Sequence, residues 1–467
     1  MWFTHRGKRQ VPGQLTPEAP SPKQGPALPD ERTVHFVLDL ALRIGEVQMS
    51  SGAGAADVTA TIIAVANAYG LPHCEVDVIF TSITVACHRG TELSPVTSLR
   101  VVQSRSLDYT RLAAVETLVG SITSGKTPVE QAHLELNRIT EAAHPYPRWL
   151  ATLSYAALAA AVTIFIGGNA LSALFAAVIT AVIDRVGRIL NRRALPFFFQ
   201  QVVGGALATG AALALLASGL LPDVKPTVLV AAAITVLLSG LTVVSTVQDA
   251  ITGFNVTAAG RTMEVSLMTA GLIAGVVGAL NIAVAMGMAD TPLADPLPAS
   301  AIRLPVQTIA GAAASACFAL ASYATPRAVL IAGIAGGVGT AGFGGLVLAG
   351  AGPIVASAGA AVVVGFAGGL ISRRLRMPPL VVAVSGMVPL LPGLTTYRAL
   401  YELAIVRTTG GLSTLMIAAA VALALAAGVV LGEYLAHPVR TGLGRLERRF
   451  QGPRMAGPLR PNEHHTE

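Results

Sequence analysis

The sequence predicts a polytopic α-helical membrane protein with about ten transmembrane helices in two inverted five-helix repeats, together with an N-terminal cytosolic α+β domain. Three observations support this fold class: the composition, the uneven distribution of charge, and an internal repeat. Of the 467 residues, 53% are hydrophobic and only 12% are charged, and the mean hydropathy is +0.64. Because soluble domains carry roughly 25% charged residues, most of this chain must lie in lipid.

The charge distribution divides the chain into five predicted parts. Residues 1–30 are rich in proline and polar groups, and we expect a disordered tail without a cleavable signal peptide. Residues 31–147 mix charged and apolar groups as a cytosolic domain does. Long apolar runs then fill two predicted membrane halves, 148–288 and 305–436, and a basic cytosolic tail covers 437–467.

Ten stretches are long and apolar enough to span a bilayer, which takes about 20 residues. Basic residues cluster in Arg185–Arg193, in Arg373–Arg376 and after His437, whereas the loop near 289–302 carries Asp290 and Asp295. Because cytoplasmic loops are enriched in Lys and Arg, this pattern predicts a multi-pass cell-membrane protein with both termini in the cytoplasm. The predicted spans are 149–167, 169–184, 196–219, 226–247, 264–288, 305–323, 327–346, 350–371, 379–407 and 412–436.

A short repeat relates the two halves. LLSGLT at 237–242 recurs as LLPGLT at 390–395, and AGVV at 274–277 recurs as 427–430, both 153 residues later. The matches fall in spans four and nine and in spans five and ten. Because five is an odd number of spans, the second copy of such a repeat must cross the membrane in the opposite orientation to the first, as in many secondary transporters. Chance matching in low-diversity helices is the alternative.

Polar groups at membrane depth are costly and are therefore candidates for function. The repeat offset places Asp249 on Glu402, an acid in each half. Prolines in span nine predict a broken helix, whose freed backbone groups can bind charged ends of a substrate. The alternative is that these charged residues lie near the interfaces and extend to water. The candidates are Gln200, Gln201, Gln248, Asp249, Thr252, Arg261, Glu264, Tyr397, Arg398 and Glu402, with Pro389, Pro392 and Gly393 at the break.

In the N-terminal domain, the patterns predict helices over 33–49, 55–69, 108–123 and 128–142 and strands over 74–87 and 96–103. Gly120–Thr127 matches a P-loop. However, a helix precedes it, and Thr127-Pro128-Val129-Glu130 resembles a capping box after a helix-ending Gly125, so we favour a turn between helices.

Other motifs carry less weight. His73-Cys74 and Cys87-His88 could meet as a zinc site but lack close ligand spacing, and Gly337-x-Gly339-x-x-Gly342 lies inside a span, where no dinucleotide fold forms. Three cysteines exclude a disulfide scaffold. The net charge of +7 is explained by the loops, so no nucleic-acid partner is expected, and neither is a cofactor or metal.

A set of motifs runs in order through residues 33–436: Leu42–Gly45, Ser51–Ala53, Tyr69–Leu71, Leu195–Gly205, Gln248–Gly253, Val256-Thr257, Arg261 with Glu264, Met387–Gly393, Tyr397-Arg398 and Gly428–Glu433. Together these motifs resemble the threonine/serine exporter family. Within Gln248–Gly253, Ala250 departs from the glycine expected in the family, which weakens the expectation of local unwinding in span four.

The resemblance implies an exporter, not an enzyme, that moves threonine, serine or similar solutes out of the cytoplasm with the proton gradient. On this hypothesis, Arg261 or Arg398 meets the substrate carboxylate, and Gln200, Gln248 or Tyr397 meets its hydroxyl. Asp249, Glu264 or Glu402 would bind the ammonium or carry the proton, since a carboxylate near lipid is easier to protonate.

Three alternatives stay open: an exporter of small dicarboxylates, a membrane-anchored enzyme or nucleotide-regulated protein with its chemistry in residues 31–148, and a passive channel. The sequence does not decide between a monomer and a homo-oligomer.

Overall fold

The computed structural model describes residues 30–89, 93–103, 107–219, 226–238, 240–287, 300–375, 379–406 and 408–440. Within these ranges, sixteen α-helices and one three-stranded antiparallel sheet form an N-terminal α/β unit and a helical bundle. The predicted tails 1–29 and 441–467 and the acidic loop at 289–299 lie outside the described residues.

The N-terminal unit packs helices against one face of the sheet β1-β2-β3. Every helix predicted here is confirmed to within a few residues. In α1, buried residues recur at Val34, Val37, Leu38 and Ala41, a helical stripe that faces the core of the unit. The elements are α1 (Glu31–Ser50), α2 (Ala55–Ala68), β1 (Cys74–Ile79), β2 (Ser82–Cys87), β3 (Val96–Val101), α3 (Tyr109–Thr123) and α4 (Val129–Glu141).

The predicted strand 74–87 is wrong as one element, because it folds back as the hairpin β1–β2. The turn Phe80-Thr81 has no Gly, Pro or Asn, and Phe80 takes a left-handed φ of 54°, which is uncommon for a bulky residue. A contact from outside the unit stabilises it: the Phe80 amide donates to Thr257 Oγ1 at 3.0 Å. The sequence therefore contains no local turn signal that would have divided this segment into two strands.

The P-loop-like segment is a helix–turn–helix, as expected. Gly120 lies within α3, and Gly125 ends the helix with φ of +69° while its amide donates to Ile122 O. The capping-box detail is wrong: α4 starts at Val129 after Pro128, and Thr127 Oγ1 donates to Ser121 Oγ instead of capping the helix. No strand feeds the glycines, so the geometry that cradles phosphates is missing from this segment.

Eight of the described helices are long and apolar enough to cross a membrane, and a ninth crossing results if the bent pair α8–α9 is one span. Their apolar side chains suit lipid, and the hydrogen bonds within each helix satisfy the backbone N–H and C=O groups, as lipid requires. The bundle comprises α5 (Arg148–Phe165), α6 (Ala170–Arg192), α7 (Phe197–Ala217), α8 (Pro226–Leu237), α9 (Gly240–Ile251), α10 (Asn255–Ala285), α11 (Leu304–Ala321), α12 (Pro326–Leu348), α13 (Pro353–Leu375), α14 (Pro379–Met387), α15 (Gly393–Tyr401) and α16 (Gly410–Arg440).

Three expectations about these spans can be compared with the structure. The break in span nine is confirmed: α14 ends at Met387, a 3-10 turn covers Val388–Leu390, and α15 starts at Gly393. Span four was expected to need no break at Ser239; this residue lies outside the described residues, and the helices on either side of it, α8 and α9, are bent by 50° relative to each other. The expected loop Arg185–Arg193 is mostly helix, because Val186, Ile189 and Leu190 continue the apolar face of α6.

Corresponding helices of the two halves pack in corresponding pairs. α5 packs on α6 and α11 on α12, while α7 packs on α10 and α13 on α16. Glycines allow this close approach: a Cβ on Gly275 of α10 would lie 2.0 Å from Val202 O, and one on Gly432 of α16 would lie 2.3 Å from Val362 O. This correspondence favours the duplication, and the opposite orientation of the halves stays a prediction.

Candidate functional site

The two broken helices meet inside the bundle. Gly393, the first residue of α15, lies against α8 so closely that a Cβ there would be 2.0 Å from Thr235 Oγ1 and 2.6 Å from Ala231 O. Tyr397, one turn further along α15, is 1% exposed and packs in the core cluster that contains Leu229 and Ile234 of α8. We call the contact of α8 with Gly393 and Tyr397 the crossing. It brings two interrupted helices together, as secondary transporters do around a substrate.

A second polar centre joins the helical bundle to the N-terminal unit. Asp249 at the end of α9 and Arg261 in α10 are 0% and 2% exposed, and their Oδ2 and Nη1 atoms are 2.7 Å apart. The Ala55 amide donates to Asp249 Oδ1 at 2.6 Å, and Arg261 Nη2 donates to Ala53 O at 3.1 Å. These four residues form what we call the docking centre.

The position of α2 explains why Asp249 is tolerated at full burial. Ala55 is the first residue of α2, so its N–H has no acceptor within the helix and carries the positive end of the helix dipole. The carboxylate accepts from that N–H through Oδ1, and its Oδ2 balances the charge of the adjacent guanidinium. A Cβ on Gly54 would lie 3.1 Å from Gln248 and 3.2 Å from Asp249 Oδ1, so this glycine permits the close approach.

Further bonds surround the docking centre. Gln248 Nε2 donates to Asp57 Oδ2 at 2.9 Å. Thr257 Oγ1 donates to Val78 O at 2.7 Å and accepts from the Phe80 amide, so the hairpin turn binds α10. The Phe80 ring covers Gly260, where a Cβ would come within 2.8 Å.

The N-terminal unit also binds the second half, at the turn between α11 and α12. The Tyr109 amide donates to Ser322 O at 3.0 Å, and Thr110 Oγ1 donates to Tyr323 O. The His144 ring stacks on Tyr323 at 4.3 Å between centroids, and Asp108 Oδ2 lies 2.8 Å from His144 Nδ1. We call this the turn contact. It places the α9–α10 and α11–α12 turns on the same face of the bundle.

The two predicted acids, Asp249 and Glu402, are not brought together. Glu402 Oε2 accepts from Thr414 Oγ1 at 2.9 Å, near the start of α16. Tyr434 of the same helix lies close enough to Asp57 of the N-terminal unit to interact electrostatically. Twenty helical residues separate Thr414 from Tyr434, roughly 30 Å. The acids therefore lie at opposite ends of the bundle.

Their surroundings nevertheless match across the repeat. Asp249 pairs with Arg261, twelve residues later, and Glu402 bonds Thr414, also twelve residues later. In each half, an acid at the end of the second part of the broken helix therefore contacts the next long helix. Asp249 contacts α10 and Glu402 contacts α16, each through a residue twelve positions later. This equivalence favours a duplicated origin for the two halves.

The remaining candidates are dispersed. Gln201 is buried and its Nε2 donates to Leu237 O, at the end of α8, at 3.4 Å, so it lies beside the first break. Gln200 Nε2 donates to Leu195 O, and Thr252 Oγ1 donates to Gln248 O, both local bonds. Glu264 and Arg398 are half-buried, on α10 and α15.

Sequence reasoning missed several polar residues. Thr235 lies at the crossing, and Ser385 lies two residues before the end of α14, fully buried. No local pattern marks either hydroxyl in such apolar helices. Asp184 pairs with Arg188 at 2.8 Å, and Arg188 Nη2 reaches Thr152 Oγ1 of α5. Opposite charges four residues apart could have revealed this pair.

The two cysteines of the N-terminal unit belong to its core. Cys74 of β1 and Cys87 of β2 are free thiols that lie directly opposite each other in the strand register. Burial raises the pKa of the Cys74 thiol, so it stays protonated. In the described part of the chain, no cluster of three or more His, Cys, Asp or Glu side chains could hold a metal ion. The strand pairing explains both residues without a ligand.

The fold and these centres define a multi-pass α-helical membrane protein whose broken helices cross next to a docked α/β unit. Two family models match in order: "putative threonine/serine exporter" over residues 39–283 and "threonine/serine exporter" over residues 307–435. The chain belongs to the threonine/serine exporter family.

Two relatives cover almost the whole chain. A protein of Mycobacterium tuberculosis (strain ATCC 25618 / H37Rv) named probable threonine/serine exporter is 45% identical over 436 residues, 91% of this chain and 81% of the relative. The threonine/serine exporter of Corynebacterium glutamicum is 37% identical over 426 residues, 90% of this chain and 86% of that protein. No solved structure matches the chain.

Proposed function

We propose that this protein exports threonine and serine from the cytoplasm and that the substrate passes through the crossing. The observation that carries the proposal is the contact of two interrupted helices, α8–α9 and α14–α15, at Thr235 and Gly393. The names of both relatives and the family membership supply the substrate class. Interrupted helices offer free backbone donors and acceptors to a zwitterion.

We infer ten crossings of the membrane, in two inverted halves. The N-terminal unit touches the bundle at the turns after α9 and α11 and near Tyr434 of α16, so these points share one face. An even number of crossings must separate these points from one another and from the start of α5, which is joined to the unit; this holds if α8–α9 and α14–α15 each cross once. The Arg-rich end of α6 belongs to the same face, which supports a cytoplasmic position for the N-terminal unit.

The polar candidate residues are assigned two different roles. In the docking centre, Asp249 and Arg261 form an ion pair and also bond the backbone of Ala55 and Ala53 in the N-terminal unit, so neither is assigned to the substrate. We assign Gln201, beside the end of α8, and Tyr397, at the crossing, to the substrate hydroxyl, and Arg398, the next residue of α15, to the substrate carboxylate.

Glu402 is the better proton carrier of the two acids related by the repeat. Asp249 is paired with the buried Arg261 guanidinium and accepts from the Ala55 amide, so neutralising it would leave a buried cation without its partner. Glu402 is half-buried and accepts a hydrogen bond from the neutral Thr414 hydroxyl, so its protonation leaves no buried cation behind. The proposal is therefore proton-coupled export through Glu402.

Threonine efflux from preloaded vesicles, measured with and without a pH gradient, tests this proposal. We expect the gradient to raise the efflux rate of the native protein and Glu402→Gln to abolish that dependence while threonine exchange at equal pH continues. Thr414→Val is the matched control, since it removes only the hydrogen-bond donor and should keep the coupling. Efflux that ignores the gradient in the native protein would refute proton coupling.

A further inference from the structure

The N-terminal unit is bound to both membrane halves at once. The docking centre attaches it to α9 and α10 of the first half, and the turn contact attaches it to α11 and α12 of the second. Alternating access moves one half against the other around a fixed site. Since one rigid unit cannot follow both halves, one of the two contacts must open in each transport cycle.

The turn contact includes a side chain that reaches into the second half. Tyr109 is the first residue of α3 and is only 2% exposed. Its ring lies in a cluster with small residues of α11 and α12, namely Ala319, Ala328 and Ala332, and with Val381 of α14. Its hydroxyl lies beside Ser385. Tyr109 thus fills the space between the α11–α12 hairpin and the part of α14 that leads to the break.

The chemistry of the two contacts differs. The docking centre consists of charge-assisted bonds between buried partners, which are about twice as strong as neutral hydrogen bonds. Between the unit and the second half, the turn contact consists of neutral backbone and hydroxyl hydrogen bonds, the stack of His144 on Tyr323, and the Tyr109 ring packed on alanines. The turn contact is therefore the one suited to open and reclose.

We propose that the N-terminal unit moves with the first membrane half and that Tyr109 is the intracellular gate of the exporter. The ring blocks the approach to Ser385 and the helix break, and it withdraws when that approach opens to the cytoplasm. This inference rests on the proposed function for its direction of transport. The position of the ring is a feature of the fold that can be tested without transport.

The first test measures access to Ser385 directly. In a chain with Cys74, Cys87 and Cys317 changed to alanine, Ser385→Cys is labelled from the cytoplasmic side by a small charged thiol reagent. We expect Tyr109→Ala to raise the labelling rate at least tenfold. Tyr109→Phe, which keeps the ring, should leave the rate within twofold of the parent. Equal labelling in the parent and the Tyr109→Ala variant would overturn the gate, whatever the protein transports.

The second test locks each contact by a disulfide in proteoliposomes, again without the native cysteines. Thr110→Cys with Tyr323→Cys joins the unit to the second half. Phe80→Cys with Gly260→Cys joins it to the first half, where a Cβ on Gly260 would lie 3.1 Å from Phe80 Cγ. Oxidation is verified by intact mass, and threonine exchange is measured before and after reduction.

We expect oxidation of the first pair to lower threonine exchange at least tenfold and reductant to restore it. Oxidation of the second pair should leave exchange within twofold. Unchanged exchange with the first pair verified as cross-linked would overturn the proposal. A cysteine-free parent that exchanges no threonine refutes the proposed function instead, and the labelling of Ser385→Cys then still decides the gate.

Discussion

Asp249→Ala is expected to release the N-terminal unit from α9, because it leaves the Arg261 guanidinium buried without its carboxylate. Arg261 is 2% exposed and Asp249 fully buried. Removing one member of a buried ion pair costs about 3–5 kcal/mol. Hydrogen exchange at the Ala55 amide should accelerate about a hundredfold or more, since each 1.4 kcal/mol is a factor of ten.

Two control variants separate the buried pair from its surroundings. Asp57→Ala removes an outer bond to Gln248 and should change exchange at Ala55 by less than about fivefold, the effect of a surface interaction. Exchanging the charges, Asp249→Arg with Arg261→Asp, should not restore protection, because a cation would face the N–H of Ala55 at the start of α2. Full protection in the exchanged variant would contradict the role given to α2.

Gly393→Ala is expected to impair transport at least tenfold by separating α15 from α8. The added methyl group would lie 2.0 Å from Thr235 Oγ1 and 2.6 Å from Ala231 O, so the helices must move apart. Overpacking of this kind costs typically about 1–3 kcal/mol. Threonine exchange by reconstituted protein, normalised to the amount of folded protein, measures the effect.

Gly410→Ala is the matched control, since Gly410 is also the first residue of its helix and the nearest atom to an added Cβ is 3.8 Å away. It should transport at the native rate. Thr235→Ala removes the closest atom and should partly restore exchange in the Gly393→Ala background. A Gly393→Ala protein as active as Gly410→Ala would show that the crossing is not part of the path.

Much of the bundle was predictable because its signals are local. Apolar runs of about 20 residues gave the positions of the spans, and Pro389 and Pro392 gave the break of span nine, since proline cannot continue the hydrogen-bond ladder. The bend between α8 and α9 has no proline, and the corresponding segment LLSGLT is compatible with a continuous helix. α8 packs against α15 and α9 against α16, and these contacts between distant segments leave no local signal in the sequence.

The roles of the polar residues were harder to predict because their partners are distant in sequence. Asp249 and Arg261 could be recognised as candidates from the sequence, because charged side chains within apolar spans are costly to bury. Their partners Ala53 and Ala55 are about 200 residues away and contribute only backbone atoms. Tyr109 likewise looks like an ordinary core residue of a soluble domain until the second membrane half is placed around it.

Counterflow in proteoliposomes measures whether this protein exchanges threonine and serine across a membrane. Vesicles loaded with unlabelled threonine are diluted into labelled threonine, and competitors are added outside. We expect transient accumulation of label above equilibrium, saturable with threonine concentration, abolished by excess serine and unaffected by a small dicarboxylate such as succinate. Accumulation blocked by succinate but not by serine, flux that never saturates, or no counterflow from correctly folded protein would contradict it.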